Sequence, residues 1–175
     1  MYSQSCVEEY VIPGDELNIL RKGCKYSEFQ FLDHSSMTVE VSEDGGLEFP
    51  DFLIHREVIP LISENFRQVL DRLGIDNLFY KPITLTNSST GESESYFLSL
   101  PPRINCLNNS ASKISIEEQK VIEIVIDERL VGNYKIFKLP SEFANQEIIV
   151  TEEVKSAVEA AELENVFFAE LGDVD

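Results

Sequence analysis

Two stretches of this chain carry the same pattern, and that duplication constrains the fold more than any other feature. Residues 60–83 and 148–171 align without a gap. Leu61-Ile62-Ser63-Glu64 falls on Ile149-Val150-Thr151-Glu152, and Asn77-Leu78-Phe79-Tyr80 falls on Asn165-Val166-Phe167-Phe168. Between these ends Phe66, Val69, Leu70 and Leu73 coincide with Val154, Ala157, Val158 and Ala161, an i, i+3, i+4, i+7 stripe in both copies. Each copy reads as a short apolar approach, a helix of about three turns and a strand. Ser63 and Thr151 stand where a hydroxyl accepts from the free N–H groups of a first turn. Glu64 and Glu152-Glu153 suit the positive end of the helix dipole. Gly74 ends the first helix by taking the left-handed conformation, while the second copy has Glu162 there and a less defined stop. The large side chains of the first stripe are worth roughly 1.5–3 kcal/mol each when buried. The alanines of the second bury less but let its helix lie closer to a sheet.

Around these units the chain is mostly strand-like. Val7 to Ile12 is apolar-rich and ends at the turn signal Pro13-Gly14-Asp15. Glu16 to Lys22 suits a brief helix or a loop. Tyr26–Leu32 and Met37–Val41 alternate as strands on either side of the turn-like Asp33-His34-Ser35-Ser36. Asp44-Gly45-Gly46 is a loop tip, Pro50 limits pairing, and Phe52–Ile54 leads into the first unit. Leu78–Thr86 reads as a strand, Asn87–Ser95 as a polar, mobile loop, and Tyr96–Leu100 as a strand halted by Pro101-Pro102. Residues 104–115 read as irregular. Val121–Ile126 and Tyr134–Leu139 follow as strands, separated by a turn at Gly132-Asn133, and Ser141–Gln146 is a loop into the second unit. Short connections between strands favour antiparallel pairing, so the expectation is one α+β domain, 1–175, with a mainly antiparallel sheet.

The 175 residues are enough for a sizeable core. With 14 basic against 32 acidic residues the net charge is −18, which repels phosphate and excludes the basic face that a nucleic-acid or anionic-membrane binder needs. The same charge favours fast capture of a basic protein partner. Cys6, Cys24 and Cys106 are odd in number and far apart, so neither a disulfide framework nor a metal site is indicated. The first residues lack the charged and apolar regions of a signal peptide, and no apolar run reaches the length of a membrane span. A cytoplasmic protein is expected.

Chemistry is hard to find. His34 and His55 have no sequence-local acid or nucleophile beside them, and the phosphate-cradling, zinc-protease and nucleophile-elbow patterns are absent. With 32 acids, carboxylate pairs arise by chance, so a hydrolytic dyad has little weight. Charge distribution says more. From Leu139 to the end, ten carboxylates face a single cation, Lys155. On the second helix Glu152, Glu159 and Glu162 avoid the apolar stripe and face solvent, whereas the first helix carries Arg67, Asp71 and Arg72 and is nearly balanced. A solvated helix face explains any one of these glutamates, but together they make a negative surface for a cationic partner. The loops at Glu43-Asp44 and at Glu92 and Glu94 are further candidates for partner contact.

Tyr134-Lys135-Ile136-Phe137-Lys138-Leu139, followed by Ile148 to Phe168, resembles the C-terminal signature of immunity-protein family eleven of bacterial polymorphic-toxin systems. Pro50-Asp51-Phe52-Leu53 and Ile59-Pro60-Leu61-Ile62-Ser63 resemble that family's central segment. The likeness covers residues 50–171, with Glu162 standing where members usually have glycine. It implies a cytosolic protein that binds and neutralises a cognate toxin domain, with no catalytic, cofactor-binding or metal-binding residues to carry over. An uncharacterised hydrolase and a non-inhibitory adaptor of the same operon are the alternative expectations.

Overall fold

The computed structural model describes residues 9–26, 32–56, 58–115, 120–140 and 147–171. At its centre five strands run in the order β1-β4-β5-β3-β2: β1 Met37–Glu40, β2 Phe52–His55, β3 Ile59–Ser63, β4 Phe79–Asn87 and β5 Glu92–Leu100. β1 pairs with β4 in parallel, and every other pair in this sheet is antiparallel. A 3-10 helix over Asp15–Leu20 and the helices α1 (Arg21–Tyr26), α2 (Glu64–Arg72), α3 (Glu128–Val131) and α4 (Glu152–Ala160) complete the α+β fold.

Alternation along the strands sends apolar side chains to both faces of the sheet. One face carries Val39, Leu53, Ile59, Leu61, Ile83, Leu85, Tyr96, Leu98 and Leu100, and is covered by Leu17, Leu20 and Cys24 of the 3-10 helix and α1. On the other, Phe52 and Ile62 pack with Phe66, Val69 and Leu70 of α2 and with Val154 and Val158 of α4. The two repeated helices therefore share one core on one side of the sheet. Pro60 is tolerated inside β3 because β5 pairs only with Leu61–Ser63, so no ladder partner waits for the missing N–H on that side.

A third, smaller core gathers Cys106, Leu107, Ile124, Phe137 and Leu139. Two short ladders follow in the chain, β6 (Lys113–Ser115) with β7 (Lys120–Glu123) and β8 (Ile136–Phe137) with β9 (Ile149–Val150), and Phe137 and Ile149 bring the second into this core. Arg103 ties this region to α1: its guanidinium donates to the carbonyls of Leu139 and Lys25, each at 2.5 Å. Among the described residues no helix is long and apolar enough to cross a membrane.

The first unit follows its sequence pattern closely. Ser63 Oγ accepts from Phe66 N at 3.1 Å, and Gly74 adopts φ +67° just past the helix. The second departs from it. Thr151 precedes α4 but makes no cap bond, and its Oγ1 is buried without a partner. Glu162 takes the left-handed conformation at φ +52°, as Gly74 does in the first copy. The strand expected to close this unit is reduced to an isolated bridge at Phe167.

Three other expectations need correction. Tyr26 ends helix α1 rather than starting a strand, and residues 27–31 of that expected strand lie outside the described residues. The expected loop over Asn87–Ser95 is mostly ladder: β4 reaches Asn87, β5 starts at Glu92, and only four residues turn. Both sides of this ribbon end at β5 face solvent, so apolar alternation never developed there. Asn87 Oδ1 closes the turn by accepting from Ser89 N at 3.0 Å, and Gly91 supplies φ +78°. Finally, the strand expected over Tyr134–Leu139 is only Ile136–Phe137, extended by a parallel bridge between Arg103 and Lys138.

Candidate protein-docking surface

The described residues hold no group of three or more His, Cys, Asp or Glu side chains arranged for a metal ion. His34 Nδ1 lies 3.0 Å from the carbonyl oxygen of Tyr80, and His55 is 5% exposed with Nε2 unpartnered. Burial, then the charges of Arg56 and Arg21, pushes the His55 pKa down against the pull of Asp15. Cys24 and Cys106 are buried thiols, and burial pushes both pKa values up, Cys24 to about 12. These groups are built into the fold.

The acidic residues divide into three places. On α4, Glu152 and Glu159 are exposed as expected, but Lys155 Nζ lies 3.7 Å from Glu152, and Lys135 Nζ lies 2.9 Å from neighbouring Glu153. Lys155 also reaches Glu170 at 3.8 Å, so part of this helix's charge is compensated locally. Surface pairs of this kind add little stability, yet they lower the field a partner meets.

Glu162, expected on this helix, lies past its end. It lines a polar cleft of about 530 Å³ between α2 and the loop after α4, together with Asp51, Asn65, Gln68, Arg72 and Glu164. Asp51 is committed to the scaffold: Oδ1 accepts from Ser63 Oγ at 2.5 Å and Oδ2 from Glu164 N at 3.0 Å. A carboxylate held on both oxygens is poorly placed to act as a general acid or base. Asp51 instead joins the cap of α2 to the loop that follows α4. Asn165 Nδ2 adds a buried bond to Phe52 O at 2.8 Å in the same loop.

Glu43 and Asp44 sit on an exposed turn, as expected, and that turn leans on the segment before the 3-10 helix. Gly45 N donates to Ser42 O, Gly46 N to Tyr10 O at 2.8 Å, and Ser42 N to Ile12 O at 2.7 Å. Tyr10 pairs with Glu48 in a parallel bridge, bringing Glu9 and Glu48 to the same edge. Burial first, then Glu164, Glu48 and Glu9, pushes the Tyr10 pKa up. Glu92 and Glu94 stand at the start of β5, not on a loop. Burial and then Asp51, Glu94 and Glu164 push the Tyr96 pKa up. Sequence reasoning found Glu43, Asp44 and Glu94 separately, but missed that Glu48 bonds to Glu9 next to the Glu43-Asp44 turn and that Asp51 bonds to Glu164. Those contacts join distant parts of the chain and leave no local pattern.

The molecule thus offers exposed carboxylates around a well-covered core. The model of the immunity protein family Imm11 matches residues 6–173 of the chain. The chain belongs to that family. The match takes in the N-terminal segment that carries Tyr10 and Ile12, as well as both repeated units. A comparison with curated proteins returns no match.

Proposed function

We propose that this family member is an immunity protein that binds a cognate bacterial toxin domain in the cytoplasm and neutralises it by occlusion, using its acidic surface against a basic partner. The observation that carries the reading is the family match over residues 6–173. The net charge of −18 supports the electrostatic part, because opposite charge speeds encounter and disfavours nucleic acid and anionic membrane. Glu43, Asp44, Glu92, Glu94, Glu152, Glu159 and Glu162 are the proposed contact residues. Occlusion requires no catalytic residue or cofactor on this side of the complex, and none is proposed.

The test is co-expression with the product of the adjacent upstream gene, paired with a pull-down of the two proteins. Protection of the cells and micromolar or tighter binding are expected. Absence of both would overturn the reading. Binding without loss of the partner's activity would mark an adaptor instead.

A further inference from the structure

The carboxylate rim is not uniform. At one point it surrounds exposed apolar side chains. Ile12 is 41% exposed and Leu47 58%, and they come from the two segments that pair through Tyr10 and Glu48. Ile12 packs directly over the turn: a Cβ on Gly45 would stand 2.6 Å from Ile12 N and 3.2 Å from its Cβ. The turn can approach only because residue 45 has no side chain. Glu43, Asp44 and Glu48 flank Leu47, and Glu9 is hydrogen-bonded through its carbonyl to Glu48 N.

These four carboxylates differ from those of α4. Among the described residues none of Glu9, Glu43, Asp44 and Glu48 has an ion-pair partner, whereas on α4 Glu152 and Glu153 have one and Glu159 has none. An apolar centre within an uncompensated polar rim has the composition of a protein-binding patch: water is excluded at the centre while the rim sets partner choice and approach.

We infer that the Tyr10–Ile12 segment and the Glu43–Glu48 turn together form the principal docking patch for the toxin, whose matching face carries an apolar centre ringed by lysine or arginine. This rests on the immunity reading and makes it specific. Charge complementarity selects the occupant. A second copy of the chain would set the same four carboxylates against themselves, and a nucleic acid would meet an acidic rim around an apolar centre.

The experiment measures affinity and association rate for the purified product of the adjacent upstream gene against wild-type protein and three variants. Ile12→Ser combined with Leu47→Ser is expected to lower affinity at least tenfold with an unchanged circular-dichroism spectrum. Glu43→Lys with Asp44→Lys, which alters only exposed side chains, is expected to slow association at least fivefold at low salt. Glu152→Lys with Glu159→Lys, at the outlying contact on α4, is expected to lower affinity less than either of these patch variants. Strong loss from the α4 variant with none from the first two would overturn this patch while leaving the immunity reading intact. Wild-type self-association that the Leu47 variant abolishes would also overturn it, in favour of a second copy. If wild-type protein neither binds nor protects, the immunity reading itself falls.

Discussion

Ser63 and Thr151 hold matching positions before α2 and α4, yet only Ser63 caps its helix. Ser63 Oγ accepts from Phe66 N and donates to Asp51, while Thr151 Oγ1 is buried with no partner. Replacing Ser63 by alanine is expected to destabilise the protein by about 1–2 kcal/mol, since it removes a cap and leaves Asp51 short of a donor. Thr151→Val deletes an unsatisfied hydroxyl without changing volume and is expected to be neutral or slightly stabilising. Thermal melts of the two variants check the contrast; equal losses would show that Thr151 does cap α4 in solution.

Glu162 sits at φ +52°, where an L-residue costs about 1–2 kcal/mol relative to the right-handed region. Glu162→Gly is expected to raise the midpoint of thermal unfolding by a few degrees, about 1 kcal/mol after the extra freedom of glycine in the unfolded chain is set against it. If Glu162 also contacts the toxin, the same variant gains stability and loses affinity. An unchanged or lowered midpoint would refute the strain argument.

Lys138 is 1% exposed, and burial, then the neighbouring Arg103 charge, holds its pKa down at about 8 against an ordinary 10.5. The unfolded chain binds this proton more tightly between those values, so stability rises with pH from about 8 to 10.5 and the penalty is fully present below 8. Lys138→Met should therefore stabilise the protein at pH 7, with the advantage shrinking above pH 8. A variant that is less stable than wild type at pH 7 would show the ammonium to be paired.

Acid should unfold the protein in two windows. The folded-state pKa of His55 lies below its ordinary 6.5, so its contribution is complete above pH 6.5 and disappears as pH falls through the lowered value. Asp33 behaves alike at lower pH. Its carboxylate accepts from Lys81 Nζ at 2.6 Å and from Ser35, which holds its pKa at about 2 against 3.8. That contribution is lost between pH 3.8 and about 2. Urea midpoints should fall in both windows, and His55→Gln should flatten the upper one alone.

Association with the toxin should slow markedly as salt rises from 50 to 500 mM, because screening shortens the reach of exposed carboxylates. Stopped-flow mixing measures this. A rate indifferent to salt would remove the electrostatic component and leave occlusion standing.

The helix faces and helix ends are legible in the sequence because their determinants are local. The stripe Phe66-Val69-Leu70 and the matching Val154-Val158 both became buried faces, and Ser63 and Gly74 marked real helix ends. The misread segments depend on what lies beside them. Glu92 to Ser95 belongs to a ladder whose side chains meet water, so periodicity had nothing to report. Tyr26 reads as strand because aromatic alternation outweighs a six-residue helix that packs against the sheet through Cys24, beside Leu17 and Leu20 of the 3-10 helix before it. Lys81 gave no hint that it would lie 5% exposed and gather Asp33 and Ser35 O around its ammonium. The proposed patch was only half legible: Glu43 and Asp44 stood out as a charged turn, but the pairing of Tyr10 with Glu48 is long-range.

Helical segments lie against both faces of the central sheet, and that cover separates two kinds of change. Substitutions within the layers alter how the chain folds, while those on turns, ribbon tips and helix backs alter what it meets. A lineage of such proteins is free to exchange one antagonist for another by rewriting its periphery, with the duplicated helices and the sheet between its coverings left as they were.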